Sequence, residues 1–409
     1  MNHLLARKKS SSSLRRKPSQ PGSVTPSSTT PSDQKPREEK SAPYQDVRYN
    51  ILLETKGSFM GKYVGKNEEG VTKESKDLCR TLLEREQLVP DNTLFRDDLF
   101  EDSCEMMQGR NEAKVIQDIT RLIVPSAQSL AIRGAKHLKH AIESVNEGWN
   151  NSIPVTKTRP QPDYSVGFKR SAFSDDQLDK LQPFIGDVTA GDLSFFMATY
   201  YMYFPFLTCE VKCGAAALDI ADRQNAHSMT LAVRGIVELF RLIKREKELH
   251  REILAFSISH DHRTVRIYGH YPVIDGPKTT FYRHPIREFS FAELDGKEKW
   301  AAYKFTKNVY DIWMPTYFKR ICSVINELPP DLDFEISQQS ELEFLEGSGL
   351  SQELEGHLSQ SNADSASLLG EHNSQSNLAD PQDDTPDTSI TQGNERAAFK
   401  RPKRRHAAE

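Results

Sequence analysis

The sequence predicts an α/β protein, a central mixed sheet flanked by helices, with long disordered N- and C-terminal tails. Three observations predict it. Segments with helical 3–4 spacing take turns with strand-like segments through the middle of the chain. The apolar residues, 37% of the 409, gather in that middle and are nearly missing from both ends. No internal repeat divides the middle, so roughly 220 to 280 residues suit one domain with a sizeable core.

The expected boundaries follow the composition. Residues 1–45 form a basic Ser/Pro-rich tail and 46–109 a helical lead-in. Residues 110–328 form the core domain, and 329–409 an acidic tail ending in a basic cluster. In the lead-in, "KESKDLCRTLLEREQ" has helical spacing through Leu78, Leu82 and Leu83. The core opens with a helix, "RNEAKVIQDITRLIV", ended by Pro125. A second helix is expected in "AQSLAIRGAKHLKHAIESV", striped by Ala131, Ala135, Leu138, Ile142 and Val145. "PDYSVGFKR" alternates like a short strand, and "SDDQLDKLQPF" reads as a small helix capped by Ser174. "MYFPFLTCEVKC" is a buried strand, and the long helix after it carries Ile236, Leu239, Phe240 and Ile243 on one stripe. "EILAFSISHDHRTVRIYGHYPV" is a hairpin turning at "HDHR", "TTFYRHPIREFSF" a further strand, and the closing helix is interrupted at Pro315.

The formal net charge of −4 conceals segregation: Asp331 to Glu395 holds no Lys or Arg, whereas Arg396 to Arg405 holds six. Such blocks contact partners electrostatically. Lys400, Arg401, Lys403, Arg404 and Arg405 read either as a nuclear-import signal for an import receptor or as a phosphate-binding tail. The localisation expected is therefore nuclear, otherwise cytoplasmic. The Ser-rich basic start allows a weak organellar transit peptide as the lesser alternative to a plain tail. "SFFMATYYMYFPFLTC" falls short of the ~20 residues that span a bilayer, so no membrane is expected. Five scattered cysteines read as reduced thiols, and the oligomeric state is not legible.

The chemistry is expected around Glu210 and Lys212. In a strand, residues two apart share a side. Leu207, Cys209 and Val211 then face an apolar layer, while Thr208, Glu210 and Lys212 face the other way near the strand's end. A hard cation such as Mg²⁺ wants oxygen ligands, so a second carboxylate is needed nearby. Asp163 supplies it: Pro162 before it cannot donate to a ladder, which puts Asp163 at the start of its strand.

Pro162-Asp163 followed by Glu210-Val211-Lys212 resembles the signature of the PD-(D/E)xK nuclease superfamily, which has the restriction-endonuclease-like fold. The resemblance implies Mg²⁺ held by Asp163 and Glu210, with the Val211 carbonyl as an extra ligand. It implies Lys212 as the group that orients the attacking water and stabilises its deprotonated form. Gln224, on the helix after the Glu-x-Lys strand, matches an amide many members carry there. It lies within ~40° of Ile220 and ~20° of Leu231 around the helix. Glu112, one turn ahead of Val115 and Ile116, matches a glutamate on the helix preceding the sheet. The implied activity is hydrolysis of nucleic-acid phosphodiester bonds, in DNA or RNA. Lys169, Arg170 and Arg223 would contact the phosphates. The gap from Asp163 to Glu210 exceeds the family's short hairpin, so the intervening segment must loop out, or Asp187 or Asp192 replaces Asp163. The stretch from Arg110 to Leu328 also resembles an uncharacterised domain widespread in filamentous fungi, which implies no established activity.

Plainer readings stand beside these. Glu210 and Lys212 could be a solvated strand pair, and Gln224 could bridge within the core. Glu112 could be a first-turn acid favoured by the helix dipole. An inactive module of the same fold, binding nucleic acid or a protein, is the main alternative. Cys209 and Cys213 read as thiols rather than a zinc half-site, and His260, Asp261 and His262 as a solvated turn.

Overall fold

The structure, a computed structural model, describes residues 4–7, 37–65, 69–187, 189–214 and 217–329. Most of the expected N-terminal tail, and the acidic tail with Lys400, Arg401, Lys403, Arg404 and Arg405, lie outside the described residues.

The chain begins with α1 (Arg37–Gln45), α2 (Tyr49–Thr55), the short β1 (Ser58–Phe59), α3 (Lys73–Glu84) and α4 (Phe100–Met107). α5 (Glu112–Val115) and α6 (Arg121–Ile123) are joined by a π-turn over Ile116–Thr120. α7 (Ala127–Ile132) leads through a 3₁₀ turn, Lys136–His140, into β2 (Ala141–Val145) and β3 (Tyr164–Lys169). α8 (Asp175–Ile185) precedes β4 (Met202–Val211), and α9 (Ala217–Leu242) follows it. β5 (Ala255–His260), β6 (Thr264–Asp275) and β7 (Lys278–Ser290) complete the strands. α10 (Ala301–Asn308), a π-turn over Val309–Trp313 and α11 (Met314–Glu327) close the described chain.

Among the described residues the strands form one seven-stranded mixed sheet in the order β1-β7-β6-β5-β4-β3-β2. β1 with β7 and β4 with β5 are parallel pairs, and the others are antiparallel. The parallel β4–β5 pair requires a crossover, which α9 supplies. All ten residues of β4 are buried, as befits a strand covered on both faces. On one face α9 meets β4 and β5 through Asn225. Its amide oxygen accepts from the Thr208 hydroxyl at 2.7 Å, and its amide nitrogen donates to the Ile258 carbonyl at 3.0 Å. On the other face the rings of Phe305 and Trp313 lie 5.7 and 5.0 Å from Phe256. The result is a sheet between two helical layers, the α/β architecture expected.

Three differences from the expected elements stand out. The helix expected through Val145 stops at Ile132, because Gly134 takes a φ of +114° that a continuing helix does not allow. Ile142 and Val145 then belong to the edge strand β2, hydrogen-bonded to β3 from Ala141↔Phe168 to Val145↔Tyr164. The closing helix yields at the π-turn Val309–Trp313, after which Pro315 takes up a first-turn position where no amide is needed. Helical structure also starts ahead of residue 46, at α1, with Lys40, Ser41 and Tyr44 buried.

Candidate functional site: two strand-end carboxylates around a buried lysine

β3 and β4 are neighbours despite the long segment between them. That segment folds away as α8, closed by a capping box in which the Ser174 hydroxyl accepts from the Gln177 amide. The pairing Tyr164↔Cys209 sets Asp163, one residue earlier, beside Glu210, one residue later. Asp187 and Asp192 are held elsewhere, in a turn where the Asp192 carboxylate accepts from the Asp187 amide at 2.8 Å. Asp163 is thus the acid that the fold brings to the Glu-x-Lys strand.

Asp163 and Glu210 are 2% and 1% exposed, and a buried carboxylate needs a partner. The Val211 amide donates to Asp163 Oδ2 at 2.8 Å. A further partner comes from α1. Lys40 Nζ donates to Asp163 Oδ1 at 2.6 Å and to the Gln161 carbonyl at 2.7 Å, and lies 3.9 Å from Glu210 Oε2. One ammonium therefore lies between the two acids. Burial pushes the Tyr44 hydroxyl well above its ordinary pKa, with Tyr49 and then Glu210 adding to the effect. Lys40 and Tyr44, one helical turn apart, are thus both turned toward the site.

Lys212 points along a different path. Its Nζ donates to the Val211 carbonyl at 3.0 Å and lies 3.5 Å from Glu112 Oε2, on the first turn of α5. Glu112 therefore meets Lys212 at the rim, while Asp163 and Glu210 share Lys40 inside. Gln224 is buried on α9, and its amide oxygen has no hydrogen-bond partner among the described residues. The amide that does touch β4 and β5 is its neighbour Asn225, which sequence reasoning missed.

His260 is also placed differently from expectation. It ends β5 beside Val211 and is fully buried, so it is no part of a solvated turn. Its Nε2 and the Thr120 hydroxyl are 3.0 Å apart, its Nδ1 lies 2.8 Å from the Asp261 carbonyl, and burial lowers its pKa. Asp261 holds the turn by accepting from the Arg263 and Thr264 amides. Arg223 is buried, its Nε donating to the Tyr44 carbonyl at 2.6 Å. Lys169 is at the far end of β3, roughly 20 Å along the strand from Asp163. Neither stands over the acids. The Cys209 thiol is buried, and burial together with Asp163 and Glu210 raises its pKa.

The oxygens of Asp163, Glu210 and Val211 are the hard donors that suit a divalent cation. In this conformation they do not fit one. Both oxygens of Asp163 and the Val211 carbonyl are engaged by the chain's own groups. Among the described residues, no group of three or more His, Cys, Asp or Glu is placed to hold a metal. No described helix is long and apolar enough to cross a membrane.

No curated protein matches the chain. A family model described as a domain of unknown function, DUF7924, matches residues 99–325, a span that contains Glu112, Asp163, Glu210, Lys212 and Gln224 but not Lys40. That match covers more than half of the sequence, and the chain belongs to this family.

Proposed function

We propose that the protein is a nuclease-like hydrolase of nucleic-acid phosphodiester bonds, built on a restriction-endonuclease-like core of the PD-(D/E)xK type. The observation that carries this reading is that Asp163 and Glu210, on adjacent antiparallel strands, both lie within ion-pair reach of a single cation. The helix ahead of β2 and the helix after β4 support it further, as does Lys212 at the end of the same strand. Mg²⁺ is the cofactor implied, and Asp163, Glu210 and the Val211 carbonyl would be its ligands once Lys40 is displaced. Lys212 would hold the attacking water and favour its deprotonated form, and Glu112, 3.5 Å from Lys212, would fix the ammonium's direction. Gln224 would set the local geometry from α9.

Cleavage of single- and double-stranded DNA and RNA with Mg²⁺ tests this, comparing wild type with Lys212→Ala. The expected result is cleavage by wild type that falls at least a hundredfold in the variant. Cleavage that survives the substitution overturns the assignment.

The second reading is an inactive module of the same fold that binds nucleic acid or a protein partner. Lys40 favours it, because a buried ammonium satisfies the carboxylates without any metal. Tight nucleic-acid binding without cleavage in the same assay would select it. Import into the nucleus through Lys400, Arg401, Lys403, Arg404 and Arg405 belongs to either reading.

A further inference from the structure

Lys40 stands where the proposed function requires a metal ion. Three features of its surroundings explain how it is held and how it can leave. The first is charge. Asp163 and Glu210 are buried carboxylates, and the Lys40 ammonium lies against the first and near the second. A divalent cation drawn to the same oxygens would repel that ammonium at close range, in surroundings with little water to screen it. The two cations exclude one another, so occupancy of the site is a competition.

The second feature is attachment. α1 and α2 dock through a small hydrophobic cluster of their own, comprising Tyr44, Tyr49, Leu52, Leu53 and Ala226, separate from the large core of the sheet and its helices. Polar contacts supplement it. The Tyr44 hydroxyl and His227 Nδ1 are 2.9 Å apart, and Tyr49 OH lies 3.0 Å from the Thr156 hydroxyl. Pro43 inside α1 cannot contribute an amide to the helix, which weakens the segment that carries Lys40. A segment held this way can detach while the main core stays intact.

The third feature is ownership. The acids, Lys212 and Gln224 lie within the matched family span, residues 99–325, whereas Lys40 and the whole α1–α2 segment precede it. The cation position is thus filled by a group from outside the domain that carries the site.

We propose that α1–α2 is an autoinhibitory strap, in which the Lys40 ammonium occupies the cation position between Asp163 and Glu210 and excludes a divalent metal until the strap withdraws. This rests on the reading of Asp163 and Glu210 as metal ligands. Displacement breaks no covalent bond: the lysine is released to solvent and the metal takes its place. The device responds to whatever competes for the strap, including metal concentration itself.

Mn²⁺ binding to the full chain, followed by titration calorimetry, tests the proposal together with the melting temperature in Mg²⁺. Wild type should bind Mn²⁺ at this site at least tenfold more weakly than Lys40→Met. Lys40→Met should melt lower than wild type without metal and recover with added Mg²⁺, and Glu210→Gln added to it should abolish the recovery while the loss that comes from Asp163 remains. Leu53→Ala, which loosens the strap and keeps Lys40, should bind with intermediate affinity, and it decides the matter if Lys40→Met does not fold. Equal Mn²⁺ affinity in wild type, Lys40→Met and Leu53→Ala overturns the strap. Mn²⁺ binding in Lys40→Met without any cleavage of nucleic acid supports the strap and sinks the nuclease reading. Cleavage by wild type with metal affinity equal to Lys40→Met does the reverse.

Discussion

The α1–α2 segment and the β4–α9 seam both bury polar groups against apolar surroundings, yet they are held by different means. In the seam, β4 is buried along its whole length between two strands and two helical layers. On the face of β4 turned away from α9, Phe206 alone meets the rings of Phe168, Trp313 and Tyr317. The α1–α2 segment rests on a five-residue cluster, two tyrosine hydroxyls directed at one histidine, and the lysine between the acids. Burial of apolar area fixes the first region. In the second, a small apolar cluster is supplemented by specific polar pairs. The difference teaches that the site's walls and its cation are under separate control: conditions that weaken polar pairs act on the cation before they act on the walls.

The largest expected effect is in β4, on its face away from α9. Phe206→Ala should cost about 3–5 kcal/mol, and chemical denaturation should show it as a fall in the midpoint of global unfolding. A loss confined to amides of α1 and α2 in hydrogen exchange would break the contrast.

An intermediate effect comes from acid. Burial lowers His227, beneath the two tyrosines of α1 and α2, to about 3, and His270, on β6, also to about 3. Between pH 6.5 and 3 the unfolded chain binds protons that the folded chain refuses. The stability from keeping these rings neutral is therefore complete above 6.5 and is lost as pH falls toward 3. From pH 7 to 5.5 each ring should account for about 1 kcal/mol. His227→Gln should remove its share of that slope and leave the share of His270, measured by denaturation at several pH values. An unchanged slope would show that the α1–α2 contact does not sense protonation.

The smallest is Tyr44→Phe, which deletes the hydroxyl contact with His227 and should cost about 1 kcal/mol. Hydrogen exchange should report it in α1 and α2 while β4 keeps its protection, which would sharpen the contrast.

Much of this arrangement was legible in the sequence. Strands β3 through β7 and the helices α8 and α9 announced themselves by period, capping and length. Pro162 placed Asp163 at a strand start, whereas its place beside Glu210 was implied by the resemblance, with Asp187 and Asp192 left open. β2 was not legible, because Ala135, Leu138, Ile142 and Val145 happen to fit a helical stripe while an edge strand leaves one of its sides unpaired. β1 was missed because a two-residue parallel pairing with β7 has no local period at all. Lys40 was hidden by composition, since it follows a run of Ser, Pro and charge that reads as tail. The available signal was the spacing of Lys40 and Tyr44 one turn apart, ahead of Tyr49, Leu52 and Leu53. His260 was misplaced because its neighbours form a turn, although the residue itself belongs to the strand.

The irregularity between β3 and β4 has a consequence for how the chain can change length. From Val166↔Leu207 to Phe168↔Tyr203 the pairing skips Gly167 on one strand and Phe204, Pro205 and Phe206 on the other. A Cβ on Gly167 would come within 2.8 Å of the Tyr203 carbonyl oxygen, so the crossing backbone demands glycine there. β4 thus carries two residues more than β3 across the gap, an even surplus, and the strands leave the bulge with the same faces aligned. Loss of two residues from Phe204–Phe206 would leave one residue opposite Gly167, a plain ladder, and loss of one would leave a surplus of one, the count of an ordinary bulge. The gap is therefore where β4 can shorten while β5 holds Glu210 and Lys212 on their side of the sheet.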